Sequence, residues 1–231
     1  MKFIVENLAI QFRQTKILEH VSLELEAGEI VGLVAPNGTG KTTLLKGIAG
    51  LLKLNSGFIW LEEDGHRIEQ REAFLSRMFF VLSSDAFYEN LSVLEHLQVV
   101  QKYWKSKISI EEASSFFGIT YFHDKKIKEL SLGMKQQLLL TLYLISDASL
   151  LLLDEPLNGL DPTNVRRFNE LIQHFQEAGK MVLMSSHNLY NIKETCTRVC
   201  FLNEKKIIAD IDVNEDLDAF YDRQYVTKVG K

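Results

Sequence analysis

Apolar and polar residues alternate along the start of the chain. Phe3 and Val5, then Leu8, Ile10 and Phe12, and later Val21, Leu23 and Leu25 recur with a period of two. That period predicts half-buried strands. A turn at 27–29 leads into Glu29–Ala35, an apolar run short enough to be a strand buried on both faces. A helix is predicted from about Lys41, and further strands over Phe58–Leu61 and Met78–Leu82. From Ser92 to about Lys126 the spacing turns helical. Val93, Leu94, Leu97, Val100 and Trp104 share one face, and Ser92 with Glu95 makes a capping box. A second helix, Glu111–Phe117, stops at Gly118.

Strand–helix alternation then resumes. Leu150–Leu153 reads as a buried strand and Pro162–Ala178 as a helix, with Pro162 at a tolerated early position and Gly179 where a helix ends. Met181–Met184 predicts a strand, Leu189–Cys196 a helix, and Val199–Leu202 with Lys206–Ile211 a hairpin. Repeated strand–helix units predict an α/β fold with a mostly parallel sheet. An antiparallel β region precedes it and a helical insert interrupts it. The domain reading is one unit over 1–213, with core and β region at 1–82 and 127–213 and the helical insert at 83–126. A charged, weakly patterned tail follows at 214–231.

Composition narrows the class. With 231 residues, 46% hydrophobic and 25% charged, the chain is sized and balanced for a packed globular domain. The net charge of −5 argues against a broad basic face, and no nucleic-acid partner is expected. Two cysteines, Cys196 and Cys200, cannot make a disulfide framework. Their i, i+4 spacing is one that could place both on one helical face, and apolar packing is the favoured reading over a two-ligand metal site. No 18-residue apolar run exists and the N-terminus lacks a signal peptide's apolar stretch, so a cytoplasmic protein is expected. Proline is scarce: three against the about a dozen that average usage gives.

Residues 35–43 read A-P-N-G-T-G-K-T-T between the buried strand and the helix. This is the setting of a phosphate-binding loop. Asn37, Gly38, Thr39 and Gly40 form the loop, its glycines letting backbone N–H groups curl around phosphate oxygens. The helix N-terminus adds positive potential, up to ~2 kcal/mol in a partly buried site. Lys41 is placed to reach the β- and γ-phosphates and Thr42 to offer its hydroxyl to Mg²⁺. Ala35 stands where the motif begins with glycine, which fits if its φ is negative. The loop announces a nucleotide without saying which. Leu150–Glu155 ends an apolar strand in two carboxylates, at the sheet edge where α/β proteins bind ligands. Asp154 suits the Mg²⁺ shell, and Glu155 suits orienting and deprotonating a water.

Three further segments complete the set. Leu130-Ser131-Leu132-Gly133-Met134-Lys135-Gln136-Gln137 precedes the acidic strand, Asn158-Gly159-Leu160-Asp161-Pro162 follows it, and Ser185-Ser186-His187 ends the next strand. Together, and in this order, they resemble the ATP-binding cassette family, the nucleotide-binding subunits of ABC transporters, over roughly residues 1–212. The resemblance implies a phosphate-loop NTPase core that binds ATP and Mg²⁺ and hydrolyses ATP. It matches Phe12 to an aromatic stacking on adenine, with a core strand aromatic as the competing reading, and Thr43 to an α-phosphate contact. It matches Ser131 and Gly133 to the signature that reaches the γ-phosphate on a second subunit, Asp161 to a loop crossing that interface, and His187 to a γ-phosphate switch. Glu155, His187 and Lys41 would carry the chemistry. The partners implied are a second subunit, identical or paralogous, and an integral membrane permease holding the chain at the inner face of the membrane. A soluble ATPase of the family and a weakly hydrolysing nucleotide sensor are the alternatives.

Two positions depart from the family. Leu132 replaces a signature glycine, a variant similar to one in small bacterial export ATPases. The family's Mg²⁺-touching glutamine falls at Ser83, with Ser84 one register away, and serine is too short for the same reach. The metal shell is therefore expected to lean on Thr42 and Asp154, with Ser83 a weak ligand. Ser83→Gln is expected to change the rate or the Mg²⁺ dependence of ATP hydrolysis, read by titrating Mg²⁺ in a phosphate-release assay. An unchanged titration and rate would remove this expectation.

Overall fold

A computed structural model describes residues 1–83 and 86–226 of the chain. Strands β1 (Lys2–Phe12), β2 (Thr15–Glu26), β4 (Ser56–Glu63) and β5 (His66–Ile68) form an antiparallel sheet in the order β2-β1-β4-β5. The second sheet contains β3 (Ile30–Val34), β6 (Met78–Phe80), β7 (Leu150–Asp154), β8 (Met181–Ser186), β9 (Arg198–Asn203) and β10 (Lys206–Asp212). Its order is β10-β9-β3-β8-β7-β6, parallel throughout except for the edge pair β9–β10. The α/β reading with an N-terminal antiparallel sheet and a mostly parallel core is thus the observed architecture.

The continuous apolar runs have a direct explanation. Alternate residues of each central strand feed different cores. Ile30, Val34, Leu151, Leu153, Val182 and Met184 pack on the helical side. Val31, Leu33, Leu150, Leu152, Met181 and Leu183 pack toward the antiparallel sheet and α1 (Lys41–Ile48). A strand with two buried faces has no polar side to show.

Helices α3 (Val93–Trp104) and α4 (Ile110–Phe117) lie within the expected insert. Ser92 and Glu95 make the capping box, with Glu95 N–H donating to Ser92 Oγ at 3.1 Å and Ser92 N–H to Glu95 Oε2 at 2.6 Å. Gly118 caps α4 at φ 66°, in the left-handed region. Leu97, Ala113 and Phe117 join the same core as Leu138 and Leu142 of α5 (Leu132–Ser146). Helix α6 (Pro162–Glu177) starts at its proline behind an Asp161 cap, and Gly179 lies just past its end at φ 70°.

Several details differ from the sequence reading. Strand β5 and helix α2 (Arg71–Leu75) are too short to show a period, and β6 ends at Phe80 rather than Leu82. Helix α7 (Leu189–Thr195) stops before Cys196, so the two cysteines do not share a helical face: Cys200 lies in β9. Both thiols are buried and free, and burial pushes the Cys196 thiol up to about 12. The stretch after Asn214 carries α8 (Leu217–Tyr221), with Leu217 and Tyr225 buried against the core. Tyr225 donates its hydroxyl to Leu202 O at 2.9 Å. Ser84 and the last part of the expected tail, 227–231, lie outside the described residues. Among the described residues no helix is long and apolar enough to cross a membrane.

One side chain ties the helical layer to the strand ends. Tyr143 of α5 is fully buried, donates to Leu152 O at 2.5 Å and accepts from Val81 N–H at 3.2 Å. Burial and the nearby Asp154 raise the phenol's pKa, so it stays a donor. Tyr143→Phe leaves a buried carbonyl and an amide without this partner, a loss of about 1–3 kcal/mol. The expected readout is a lower urea midpoint with an unchanged slope.

Candidate functional site

The C-terminal ends of β3, β7 and β8 meet because the strands pair in parallel, with Asp154 opposite Ser185 and Val34 opposite Ser186. Beyond β3 the chain turns through residues 35–40. Gly38 at φ 81° and Gly40 at φ 112° take backbone conformations that side chains disfavour. Ala35 is buried and has no positive φ, so its methyl is accommodated as the sequence required. Thr39 Oγ1 donates to Pro36 O at 2.8 Å and closes the turn. Gly40 then caps α1. A cavity of about 280 Å³ opens here, lined by Ile17, Asn37, Gly38, Gly40, Lys41, Thr42, Thr43 and Glu155.

Lys41 is almost wholly buried, a costly position for a cation unless it is paired. Its Nζ donates to Ala35 O at 2.7 Å and lies 3.5 Å from Glu155 Oε1. Thr42 Oγ1 donates to Asp154 Oδ2 at 2.7 Å. The other oxygen, Asp154 Oδ1, accepts from Ser185 Oγ at 2.5 Å. Ser185 also receives Glu155 N–H, at 3.0 Å on its hydroxyl and 3.2 Å on its carbonyl. Glu155 Oε2 pairs with His187 Nδ1 at 2.9 Å. A carboxylate only accepts, so Nδ1 carries the proton.

The structure therefore brings together Lys41, Thr42, Asp154, Glu155 and His187. The hydroxyl and carboxylate oxygens of Thr42 and Asp154 fit Mg²⁺, which takes one or two carboxylates and completes its shell with phosphates and water. Among the described residues no group of three or more His, Cys, Asp and Glu could hold a metal. Ser83 lies three residues beyond β6, on the edge beside β7, and its carbonyl accepts from Ala86 N–H at 3.0 Å. Phe12 is 47% exposed at the outer end of β1, so it is a surface aromatic rather than a core one, and it stands outside the cavity lining.

Ser131, Gly133 and Asp161 are not among the residues lining this cavity. Ser131 N-caps α5, its Oγ accepting from Met134 N–H at 3.2 Å, which leaves the hydroxyl proton free to donate. Gly133 has open space at its Cβ position, the nearest atom being Gly159 O at 4.0 Å. Asp161 is held by Asn164 and Thr163 N–H groups, whose donation keeps its carboxyl below the usual range. Ser185 was not singled out from the sequence. Its signal was a serine ending an apolar strand beside an acidic one.

The ABC transporter family model matches residues 18–158. The chain is 31% identical to the lantibiotic transport ATP-binding protein SrtF of Streptococcus pyogenes, over 95% of this chain and 96% of that protein. It is 30% identical to the bacitracin transport ATP-binding protein BcrA of Enterococcus faecalis, over 93% of this chain and 71% of that one. In fold it is similar to an ATP-binding subunit of an ABC transporter, with a TM-score of 0.86 at 24% identity over 99% and 100% of the two chains.

Thr42→Val keeps the shape of the side chain and removes its oxygen. It is expected to leave metal-free nucleotide binding intact and to weaken Mg²⁺-dependent binding by about 10-fold, the order of one charge-assisted contact. A fluorescent ATP analogue titrated with and without Mg²⁺ reads the difference.

Proposed function

The chain belongs to the ABC transporter family, whose members hydrolyse ATP to power transport, and we propose that it is the ATPase subunit driving export through a separate membrane permease. The observation that carries the reading is the meeting of a phosphate loop with Glu155, which is paired to both Lys41 and His187. On this reading residues 1–213 act as one ATPase domain with 83–126 as its helical insert.

The chemistry follows from the placement. The loop N–H groups and Lys41 bind the phosphates, while Phe12 lies open to stack on the base. Thr42 and Asp154 would hold Mg²⁺, which would supply charge neutralisation on the phosphate oxygens. Glu155 accepts a proton from water as the water oxygen bonds to the γ-phosphorus. The bond from that phosphorus to the bridging oxygen breaks, its electron pair leaving with ADP. His187 holds the Glu155 carboxylate in place through Nδ1–H.

Ser131 and Gly133 do not line the chain's own phosphate cavity, which supports their use on the nucleotide of a second subunit. Two copies, or this chain and a paralogue, would face each other about a two-fold axis. The export direction rests on the Leu132 variant of the signature segment. The names of two relatives refer to lantibiotic and bacitracin transport.

Glu155→Gln keeps the shape and removes the base. It is expected to lower the ATPase rate by about 10²–10⁴-fold while an ATP-bound dimer accumulates on size-exclusion chromatography. A wild-type chain that binds ATP yet shows no rate for this change to reduce would favour the sensor reading, which the serine at position 83 motivates.

A further inference from the structure

Glu155 has φ of 48°, a left-handed backbone that a non-glycine residue adopts only when its surroundings hold it there. It precedes Pro156, and a residue before proline is normally driven to an extended conformation. Three backbone contacts oppose that tendency. Ser185 takes the Glu155 N–H, Asn158 N–H donates to Glu155 O at 3.1 Å, and Gln136 Nε2 donates to Pro156 O at 2.6 Å. Gln136 is only 7% exposed, so this bond is sheltered from water. A carbonyl can only accept, which settles the orientation of the amide.

The next residue of α5 holds the other end of the same loop. Gln137 Nε2 donates to Asn164 Oδ1 at 3.2 Å and to Phe117 O at 3.1 Å. Asn164 Nδ2 donates in turn to Asp161 Oδ2 at 2.8 Å. Adjacent residues on one helix thus grip the loop just after Glu155 and, through Asn164, at Asp161.

We infer that Gln136 and Gln137 are positioning residues that fix both ends of the 156–161 loop, Gln136 holding the strained backbone from which Glu155 is aimed. The inference rests on the proposal that Glu155 is the base. Neither glutamine touches the phosphate cavity, so losing Gln136 should misplace the base without disturbing nucleotide binding. A small misplacement is enough, because about 1 Å can cost a factor of the order of 100 in rate.

The test compares the intact chain with Gln136→Met, which keeps length and apolar packing, and Gln136→Glu, which keeps the shape and replaces the donor by an acceptor. Steady-state ATPase rates give kcat, and a fluorescent ATP analogue gives Kd. Both variants are expected to lose about 10- to 100-fold in kcat with Kd within about twofold of wild type. Wild-type kcat in either variant overturns the inference. A parallel fall of kcat, nucleotide affinity and Tm also overturns it, since that marks a general packing role. Absence of ATPase activity in the unmutated chain overturns the proposed function itself and this inference with it, and that result is seen before any variant is compared.

Discussion

The site depends on the parallel pairing of β3, β8 and β7. Leu152 opposite Leu183, Asp154 opposite Ser185 and Val34 opposite Ser186 set one register across three strands. A shift of one residue would turn every side chain to the other face. Both faces of these strands are buried in separate cores, so a slip would scramble two packings at once. Burial thereby fixes the height at which each strand ends. The bond from Thr42 to Asp154 and the bond from Ser185 to Asp154 are consequences of that height.

On this frame the charged groups are balanced rather than merely gathered. Buried Lys41 is surrounded by the carbonyls of Ala35 and Pro36 and by the Glu155 carboxylate. Glu155 Oε1 has no hydrogen-bond partner among the described residues and faces Lys41 at 3.5 Å. Its other oxygen is held by His187. One oxygen anchored and the other meeting only a longer electrostatic contact is an arrangement suited to receiving a proton from a bound water. The helix termini follow the same logic: the α1 N-terminus is capped by a glycine whose side contributes no competing acceptor, and the exposed N-terminus of α5 is capped by a serine that keeps a donor.

Local order and motif were legible along the chain; distant pairing was not. The capping box at Ser92, the stop at Gly118 and the start of α6 at Pro162 each depend on neighbours a few residues away. The phosphate loop and acidic strand were legible because their chemistry demands residue types at fixed spacing. Ser185 and Gln136 were not, because a serine or glutamine reveals its role only through a partner, and theirs lie 31 and 20 residues away in sequence. The docking of Tyr225 was hidden for the same reason. A charged stretch with two anchoring apolar residues has no period, and its hydroxyl finds Leu202 and Val34 only after the sheet has formed.

The three prolines show how scarce rigidity is spent at the site. Proline has no N–H to satisfy, but its carbonyl remains an acceptor whose direction the ring helps to set. Pro36 O accepts from Thr39 and lies within reach of Lys41; Pro156 O accepts from Gln136. Pro162 acts on its neighbour instead, since Asp161 before it is extended at φ −75° and ψ 166°, the conformation that a following proline favours and a helix cap needs. At Asp161 the proline and the cap agree. At Glu155 the following proline and the observed φ conflict, so the conformation there must be imposed by tertiary bonds. That conflict separates the two ends of the loop: at Asp161 the local sequence already favours the observed conformation, which Gln137 steadies through Asn164, whereas the aim of Glu155 depends on Ser185 and Gln136, contributed by two other elements of the fold.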